Sequence, residues 1–406
     1  MQRPDTAAAA TAAAPAGWRG HVLLVSPLTF SYHVAISETL REMGYGVTWW
    51  DERASSATGY KLALRVFPAL TVRWSERSFL ERLRGLAGAP ITHVLVIKGE
   101  GLSGRVVREI RQALPGASMG LYLWDGAENV AGVSNILPAF DSVATFDPQD
   151  AKRFGWAYRP LFGRKVSVST DPPMPADYDW CFIGTIHSDR HRVVHRLRQR
   201  GGAHVRSFVF AYFQSPLIMF VRRLSDWTLW LAPKGTLSTK PMPAAEVAQI
   251  VSRSRAVLDV EHPRQRGFTM RTIETLLAGK KLVTTNQHIL GSDLYHPSRA
   301  HVISRLAPEI PAGFVEQRYA EIPDALRRSY SCAGWAAELL GLQDAARAQR
   351  AALRQDRPTL TMASDGKLLA MSHSYTSTGP SSARVRIISA REAARNERRQ
   401  YENEPR

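Results

Sequence analysis

SRAVLDVEHPRQRGFTMRTIETLLAGKKLVTTN (residues 254–286) reads as a complete β–α–β unit. An apolar strand opens it, and a polar loop carrying Arg264 and Arg266 leads to Gly267. A short helix is expected just after that glycine, and a second apolar strand closes the unit. Met270, Ile273 and Leu277 recur at helical spacing and would pack against a sheet, and Gly279 suits the helix end. Free amide groups at such a helix start favour an anion, typically a phosphate. Arg271 and Glu274 lie three residues apart and share a helix face near that end. A buried glutamate is costly unless it accepts good hydrogen bonds, which ribose hydroxyls would supply. The plain alternative is a surface pair between Arg271 and Glu274, worth a few tenths of a kcal/mol.

The same alternation extends in both directions. HVLLVS (21–26), Val47 to Trp50, THVLVIKG (92–99), MGLYLW (119–124), FDSVATF (140–146) and WAYRP (156–160) read as strands. Helices are expected over 32–43, across much of 61–86, and around 104–114. SVSTDPPMPADYD (167–179) is a proline-bearing connector. A second series starts at WCFIGT (180–185), continues through a helix at 189–200 and HVRSFVF (204–210), and then a helix at 244–253. It ends with HVISR (301–305) and a helix at 320–329. Strand alternating with helix implies an α/β fold of two tandem, Rossmann-like, doubly wound parallel sheets. The expected boundaries are a first domain at 18–166, a linker at 167–179 and a second domain at 180–330. A helix at 331–344 would cross back to the first domain. Residues 1–17 and the basic tail 345–406 read as mostly disordered, with a helix at 388–400.

Composition sets outer limits. A chain of 406 residues exceeds one ordinary core. At 44% apolar and 22% charged it falls in the soluble globular range. Two cysteines, Cys181 and Cys332, form neither a disulfide framework nor a metal cluster, so a reducing cytoplasm is the expected compartment. The alanine-rich start lacks the apolar core of a secretory signal, and no long clean apolar run reads as a transmembrane helix. The net charge of +17 favours anionic partners: nucleic acid, anionic lipid or phosphorylated substrates. No P-loop, GxGxxG, GxSxG or zinc pattern is present.

Ligands of open parallel sheets gather beyond the carboxyl ends of the strands. In the first domain that rule selects His33 after the first strand, Lys98 and Glu100 after the third, and Asp125 after the fourth. In the second domain it selects GTIHSDR, with Gly184, Thr185 and Arg190, and EHPRQRG, with Arg266 and Gly267. Each has a bland alternative: Asp125 as a helix cap, His33 as a surface residue, GTIHSDR as a capped turn.

These residues carry a resemblance to GT-B-type glycosyltransferases. Many retaining members place a glutamate, seven residues and a second glutamate across a glycine-rich loop and its helix. Here the frame is Arg266, GFTMRTI and Glu274, so Glu274 matches the ribose-binding glutamate while Arg266 replaces the first. DYDWCFIGTIHSDR, AYFQSPL and FDPQDAKRFG, together with the 254–286 unit, also resemble bacterial lipopolysaccharide, capsule and exopolysaccharide biosynthesis proteins.

The resemblance implies an interdomain cleft with a nucleotide-sugar donor on the second domain and the acceptor on the first. Glu274 would bind ribose. Gly267, Thr269, Arg266 and Arg271, with Gly184, Thr185 and Arg190, would hold the diphosphate and stabilise the leaving group. Neither a metal nor a cofactor is expected, the nucleotide-sugar being a substrate. A base for the acceptor hydroxyl would come from Asp125, with Glu100 and His33 behind it. A saccharide or lipid-linked acceptor is implied.

FVFAYFQSPLIMFVRRLSDWTLWL (208–231) places aromatics beside Arg222 and Arg223. It reads either as an interfacial segment on an anionic membrane or as a core helix and buried strand. Two rival classes remain: a non-catalytic accessory protein of the same architecture, kept open by Arg266, and a nucleic-acid-binding protein. For the latter no motif appears, so nucleic acid is not an expected partner.

Overall fold

The computed structural model of the chain describes residues 18–28, 31–53, 68–86, 88–130, 132–164, 176–202, 204–355, 359–362, 368–379 and 382–392. The expected disordered start at 1–17 and most of the 167–179 connector lie outside them. Tyr178 and Asp179, assigned to that connector, already belong to a strand.

Six strands form the first sheet: β1 Gly20–Ser26, β2 Tyr45–Asp51, β3 Ile91–Ile97, β4 Ser118–Leu123, β5 Ser142–Thr145 and β6 Ala157–Tyr158. Their order is β2-β1-β3-β4-β5-β6, with every pair parallel. The second sheet holds β7 Tyr178–Thr185, β8 Ser207–Tyr212, β9 Leu237–Ser238, β10 Ser254–Asp259, β11 Lys281–Thr284 and β12 Ala300–Val302. Its order is β12-β11-β10-β7-β8-β9, again all parallel. Helices cover both faces, so central strands are apolar along their length instead of alternating. Val22–Val25, Val94–Ile97 and Ala256–Leu258 are accordingly buried almost completely. Leu23, Val96 and Leu121 belong to one core, and Phe182, Val209 and Leu258 to another.

The order of each sheet places its functional edge. The chain builds outward from β1 to β2, then reverses to β3; it builds from β7 to β8 and β9, then reverses to β10. The crevice beyond each reversal is where an open α/β sheet receives ligands. Those two crevices are the β1/β3 and β7/β10 edges. They face each other, because Tyr32 after β1 and Phe146 after β5 both touch the segment after β10.

The boundaries differ from expectation mainly at helix starts and in the tail. The helix of the 254–286 unit begins at Met270, not directly after Gly267. Thr269 takes an extended backbone as its N-cap, and its hydroxyl accepts from the Thr272 amide at 3.0 Å. A longer helix, Cys332–Gln355, stands where 331–344 was expected. At its start Trp335 packs against Tyr122 of β4, 5.1 Å between ring centroids, and against Phe162 at 4.6 Å.

Contacts divide the chain into residues 1–340 and 341–406. The second unit overlaps the tail 345–406, expected to be mostly disordered. It carries an antiparallel meander of β13 Thr359–Met362, β14 Leu368–Gly379 and β15 Ser382–Glu392. The helix expected over 388–400 is strand as far as Glu392. Alternating Ala383, Val385 and Ile387 with Arg384 and Arg386 is a period-two pattern rich in β-branched residues, which favours a strand over a helix.

Candidate active site at the facing sheet edges

The helix after β10 is fastened to its strand by a carboxylate. Asp259, at the end of β10, accepts from the Thr269 hydroxyl at 2.5 Å and the Thr272 hydroxyl at 2.7 Å. One buried acid thereby anchors the N-cap and the first turn together, fixing where the next turn points its side chains. Ile273, Leu276 and Leu277 go into the core. Glu274 points toward the first sheet. Its Oε1 accepts from Arg164 Nε at 2.7 Å and lies 3.5 Å from the Tyr32 hydroxyl. Arg164 also lies over the Tyr32 ring, 4.9 Å from its centroid. Tyr32 packs edge-on against Trp124, 6.4 Å away, in the loop that presents Asp125.

The alternative surface pair between Arg271 and Glu274 is not formed: Arg164 is the ion-pair partner of Glu274. Arg164 and Tyr32 were not singled out in the sequence. Tyr32 reads there as an ordinary core residue of a helix, and Arg164 follows an unremarkable apolar turn. Burial, followed by the nearby Glu274 carboxylate, drives the Tyr32 phenol well above its usual range, whereas Arg164 and Arg271 oppose the shift. Tyr32 stays a neutral donor. Arg271 stands in the first turn of its helix and, like Arg266, has no ion-pair partner among the described residues. Both are partly buried cations at the edge where an anion would sit.

Four expected phosphate-binding positions have structural roles in this geometry. A Cβ on Gly267 would lie 2.6 Å from the Phe146 carbonyl oxygen, so this glycine lets the β10 loop approach the end of β5. Arg190 donates to the Thr185 carbonyl at 3.0 Å and to the Val260 carbonyl, clasping the ends of β7 and β10. Thr185 thus contributes its carbonyl to that clasp. Gly184 lies beside the same guanidinium: a Cβ there would be 3.7 Å from Arg190 Nη1. Burial lowers the Arg190 pKa, and Asp259 partly offsets it. Arg190 therefore stiffens the edge.

On the opposing edge the structure joins Lys98, Glu100 and Asp125. Lys98 Nζ lies 2.9 Å from Glu100 Oε2 and 3.0 Å from Asp125 Oδ2. Burial alone would depress the Lys98 pKa, but Asp125 and Glu100 outweigh it and hold the ammonium above its usual range. Asp125 is not a helix cap; the neighbouring Ala127 amide is taken by Asp150 at 2.7 Å. Lys98 itself adopts φ +70°, a conformation L-residues seldom hold. His33 belongs to a different group: its ring stacks on Trp49 at 4.3 Å, and Trp49 donates to the Ser26 hydroxyl at 2.9 Å. Burial lowers the His33 pKa, with Asp51 opposing. The imidazole is thus neutral and aromatic-packed, outside the Lys98 cluster.

Beneath that cluster lies Glu52, which the sequence reading passed over. Its side chain is fully buried just after β2, and one oxygen accepts from the Gly99 amide at 3.0 Å. The other oxygen has no hydrogen-bond partner. Burial raises its pKa to about 7, with Lys98 and Arg53 pulling the other way. The strand-end rule that selected Lys98 and Asp125 would have selected Glu52 had it been applied to β2 as well.

The second edge has a further buttress. Glu261 is buried and accepts from Arg305 at 2.7 Å and from Thr285 at 2.8 Å. Arg305 also binds Asp189 at 2.8 Å. Beside this network a concavity of about 410 Å³ runs along the ends of β11 and β12, lined by Thr285, Gln287, Ile303, Ser304 and Arg305. Among the described residues no three His, Cys, Asp or Glu side chains gather as a metal site.

No family model and no curated protein matches this sequence. Solved structures do. A glycosyltransferase from Rickettsia africae ESF-5 superposes with a TM-score of 0.52 at 9% identity, over 81% of this chain and 98% of that one. An alpha,alpha-trehalose 6-phosphate synthase from Burkholderia multivorans gives 0.50 at 10% identity, over 82% of this chain and 98% of that one. The chain shares their GT-B architecture. At such identities the likeness extends to the fold, and function must be argued from the site.

Proposed function

We propose that the protein is a glycosyltransferase that moves a sugar from a nucleotide-sugar donor to a growing cell-surface polysaccharide or lipid-linked acceptor. The observation that carries this reading is the position of Glu274. It is a carboxylate on the helix after β10, at the reversal point of the second sheet, facing Tyr32 and Arg164 of the first. Its side chain keeps about a fifth of its surface open. Ribose hydroxyls would donate to the carboxylate while Arg164 fixes its orientation. Arg271, Arg266 and the amides at the Thr269-capped helix start would receive the diphosphate. Positive charge there stabilises the leaving nucleotide as the glycosidic bond breaks. Asp125, tethered by Lys98 and nearly half exposed, is the base we assign to the acceptor hydroxyl. Glu100 shares that tether. A donor fold shared with a solved glycosyltransferase supports the reading by analogy only.

One observation favours a second reading. Glu274 is already held by Arg164, and Arg266 stands where a retaining enzyme would carry a glutamate. A non-catalytic accessory protein of polysaccharide synthesis would tolerate both. UDP-, GDP-, CDP- and dTDP-sugars tested by thermal shift separate the readings. A bound donor at a hundredfold excess over its Kd stabilises by about 2.7 kcal/mol. The enzyme reading expects one nucleotide class to raise the Tm and to release its nucleoside diphosphate when a saccharide acceptor is added. A shift without release assigns the accessory role. No shift with any donor overturns both.

A further inference from the structure

The helix Pro216–Ser225, just after β8, is amphipathic in the wrong sense for a soluble protein. Leu217, Phe220, Val221 and Leu224 follow the i, i+3, i+4, i+7 spacing that normally faces a core. Here that stripe faces out: Leu217 is 71% exposed, Phe220 54% and Leu224 70%, and no residue of the helix is buried. The turn that follows repeats the pattern. In Trp227–Trp230, Thr228 and Leu229 point inward while Trp227 and Trp230 are 67% and 58% exposed. These side chains form one contiguous apolar face, larger than scattered surface residues would give.

Positive charge lies at the face itself: Arg222 and Arg223 are on its helix, and Arg192 reaches Asp226 at the helix end. From Arg190 to Ser225 the chain holds eight arginines and no acidic residue. The flanking acids are already occupied: Asp226 by Thr228, with Arg192 nearby, and Asp189 by Arg305. Arg222 has no ion-pair partner among the described residues. Arg223 stacks over Trp230 at 5.0 Å, while the Trp230 indole donates to the Arg223 carbonyl at 3.0 Å. Tryptophans edged by arginines, with aliphatic side chains between, match the polarity gradient of a bilayer surface.

We propose that residues 216–231 dock the protein on an anionic phospholipid bilayer, with Leu217, Phe220, Leu224 and Trp227 entering the acyl boundary and Arg222 meeting headgroups. A second copy of the chain is the poorer occupant. A two-fold contact through this face would set Arg222 against its own copy with no acid to meet it. The helix follows the carboxyl end of β8 and lies on the same sheet edge as the candidate site. Burial, then Arg190 and His262, lowers the His187 pKa in the loop after β7, and Arg222 adds to the same shift from nearby. Docking here would bring the mouth of the cleft to the membrane plane, where a lipid-linked acceptor resides. The docking face stands without the glycosyltransferase reading; only the nature of the acceptor rests on it.

The test is sedimentation of the full chain with phosphatidylcholine vesicles, with and without phosphatidylglycerol. Wild type should bind the anionic vesicles and release from them at high salt, and its tryptophan emission should shift to the blue. Leu217→Ser/Phe220→Ser/Leu224→Ser, with an unchanged circular dichroism spectrum, should lose roughly tenfold or more in partition coefficient. Arg222→Glu should lose affinity for anionic vesicles selectively. Undiminished binding by the folded triple variant would overturn the proposal and assign binding to another basic segment. So would a wild type that ignores vesicles, whether it stays monomeric or dimerises through this face.

Discussion

Glu52 shows how a single buried carboxyl can tune a whole edge. Its folded pKa of about 7 exceeds the ordinary 4.5, so the native state retains a proton that the unfolded chain has lost. The stability it contributes is complete below pH 4.5 and fades as pH rises through about 7. His187 and His191, both lowered to about 4 mainly by burial, act in the opposite sense. Their contribution is present above 6.5 and is lost as pH falls toward 4. The two trends overlap, so wild-type melting alone would hide the effect. A comparison with Glu52→Gln isolates it. The variant's Tm relative to wild type should climb between about pH 5 and pH 8, by roughly 2–5 °C. A constant difference across that range would mean Glu52 is ionised throughout. The strand-end rule extended to β2 would have pointed to this residue, but its burial was not legible: an Asp-Glu pair after a strand ordinarily faces water, and here the Gly101 backbone packs against the Glu52 carbonyl. Arg164 and Tyr32 were hidden for a similar reason. Their role depends on a partner more than a hundred residues away.

Among elements, the β10 loop and its helix were the most legible. An apolar strand, a glycine-bearing loop and a 3.6-residue apolar repeat fix a β–α–β crossover by local physics alone. What local physics did not show was the packing demand on the glycine. Gly267 looked like a position for phosphate to approach, and it is where the loop meets Phe146 of the opposite half. The prediction is direct. Gly267→Ala must displace a backbone carbonyl as well as a ring, so it should cost about 1–3 kcal/mol in denaturant unfolding. A cost below a few tenths would show that the loop and the β5 end are not in contact in solution. In the tail the described strands were illegible for the opposite reason. Its alanine and arginine content suggests helix or disorder, but β15 is specified by alternation over Ser382–Glu392, which composition averages away.

At the scale of the whole molecule, two parallel sheets of six strands bring four loops together: those after β1, β4, β5 and β10. Parallel order was readable because each strand alternates with a helix, and the reversal points then follow from connectivity. The facing of the two edges was not readable, since no local signal encodes a contact such as that between Tyr32 and Glu274. It came only from the family resemblance, and the contacts now give it physical form. The net charge of +17 also resolves partly at this scale. Arg222 and Arg223 put some of it on the exposed 216–231 face, Arg266 and Arg271 put some at the candidate donor site, and a further part lies in the tail.

The donor site is the centre of these relations, and calorimetric titration tests it most directly. The nucleotide-sugar that best stabilises the wild type should bind it in a saturable one-to-one isotherm. Glu274→Ala, melting as a folded protein, should show no measurable heat with the same ligand. Equal affinity in the two proteins would contradict the assignment of ribose recognition to Glu274 and, with it, the placement of the donor on the helix after β10.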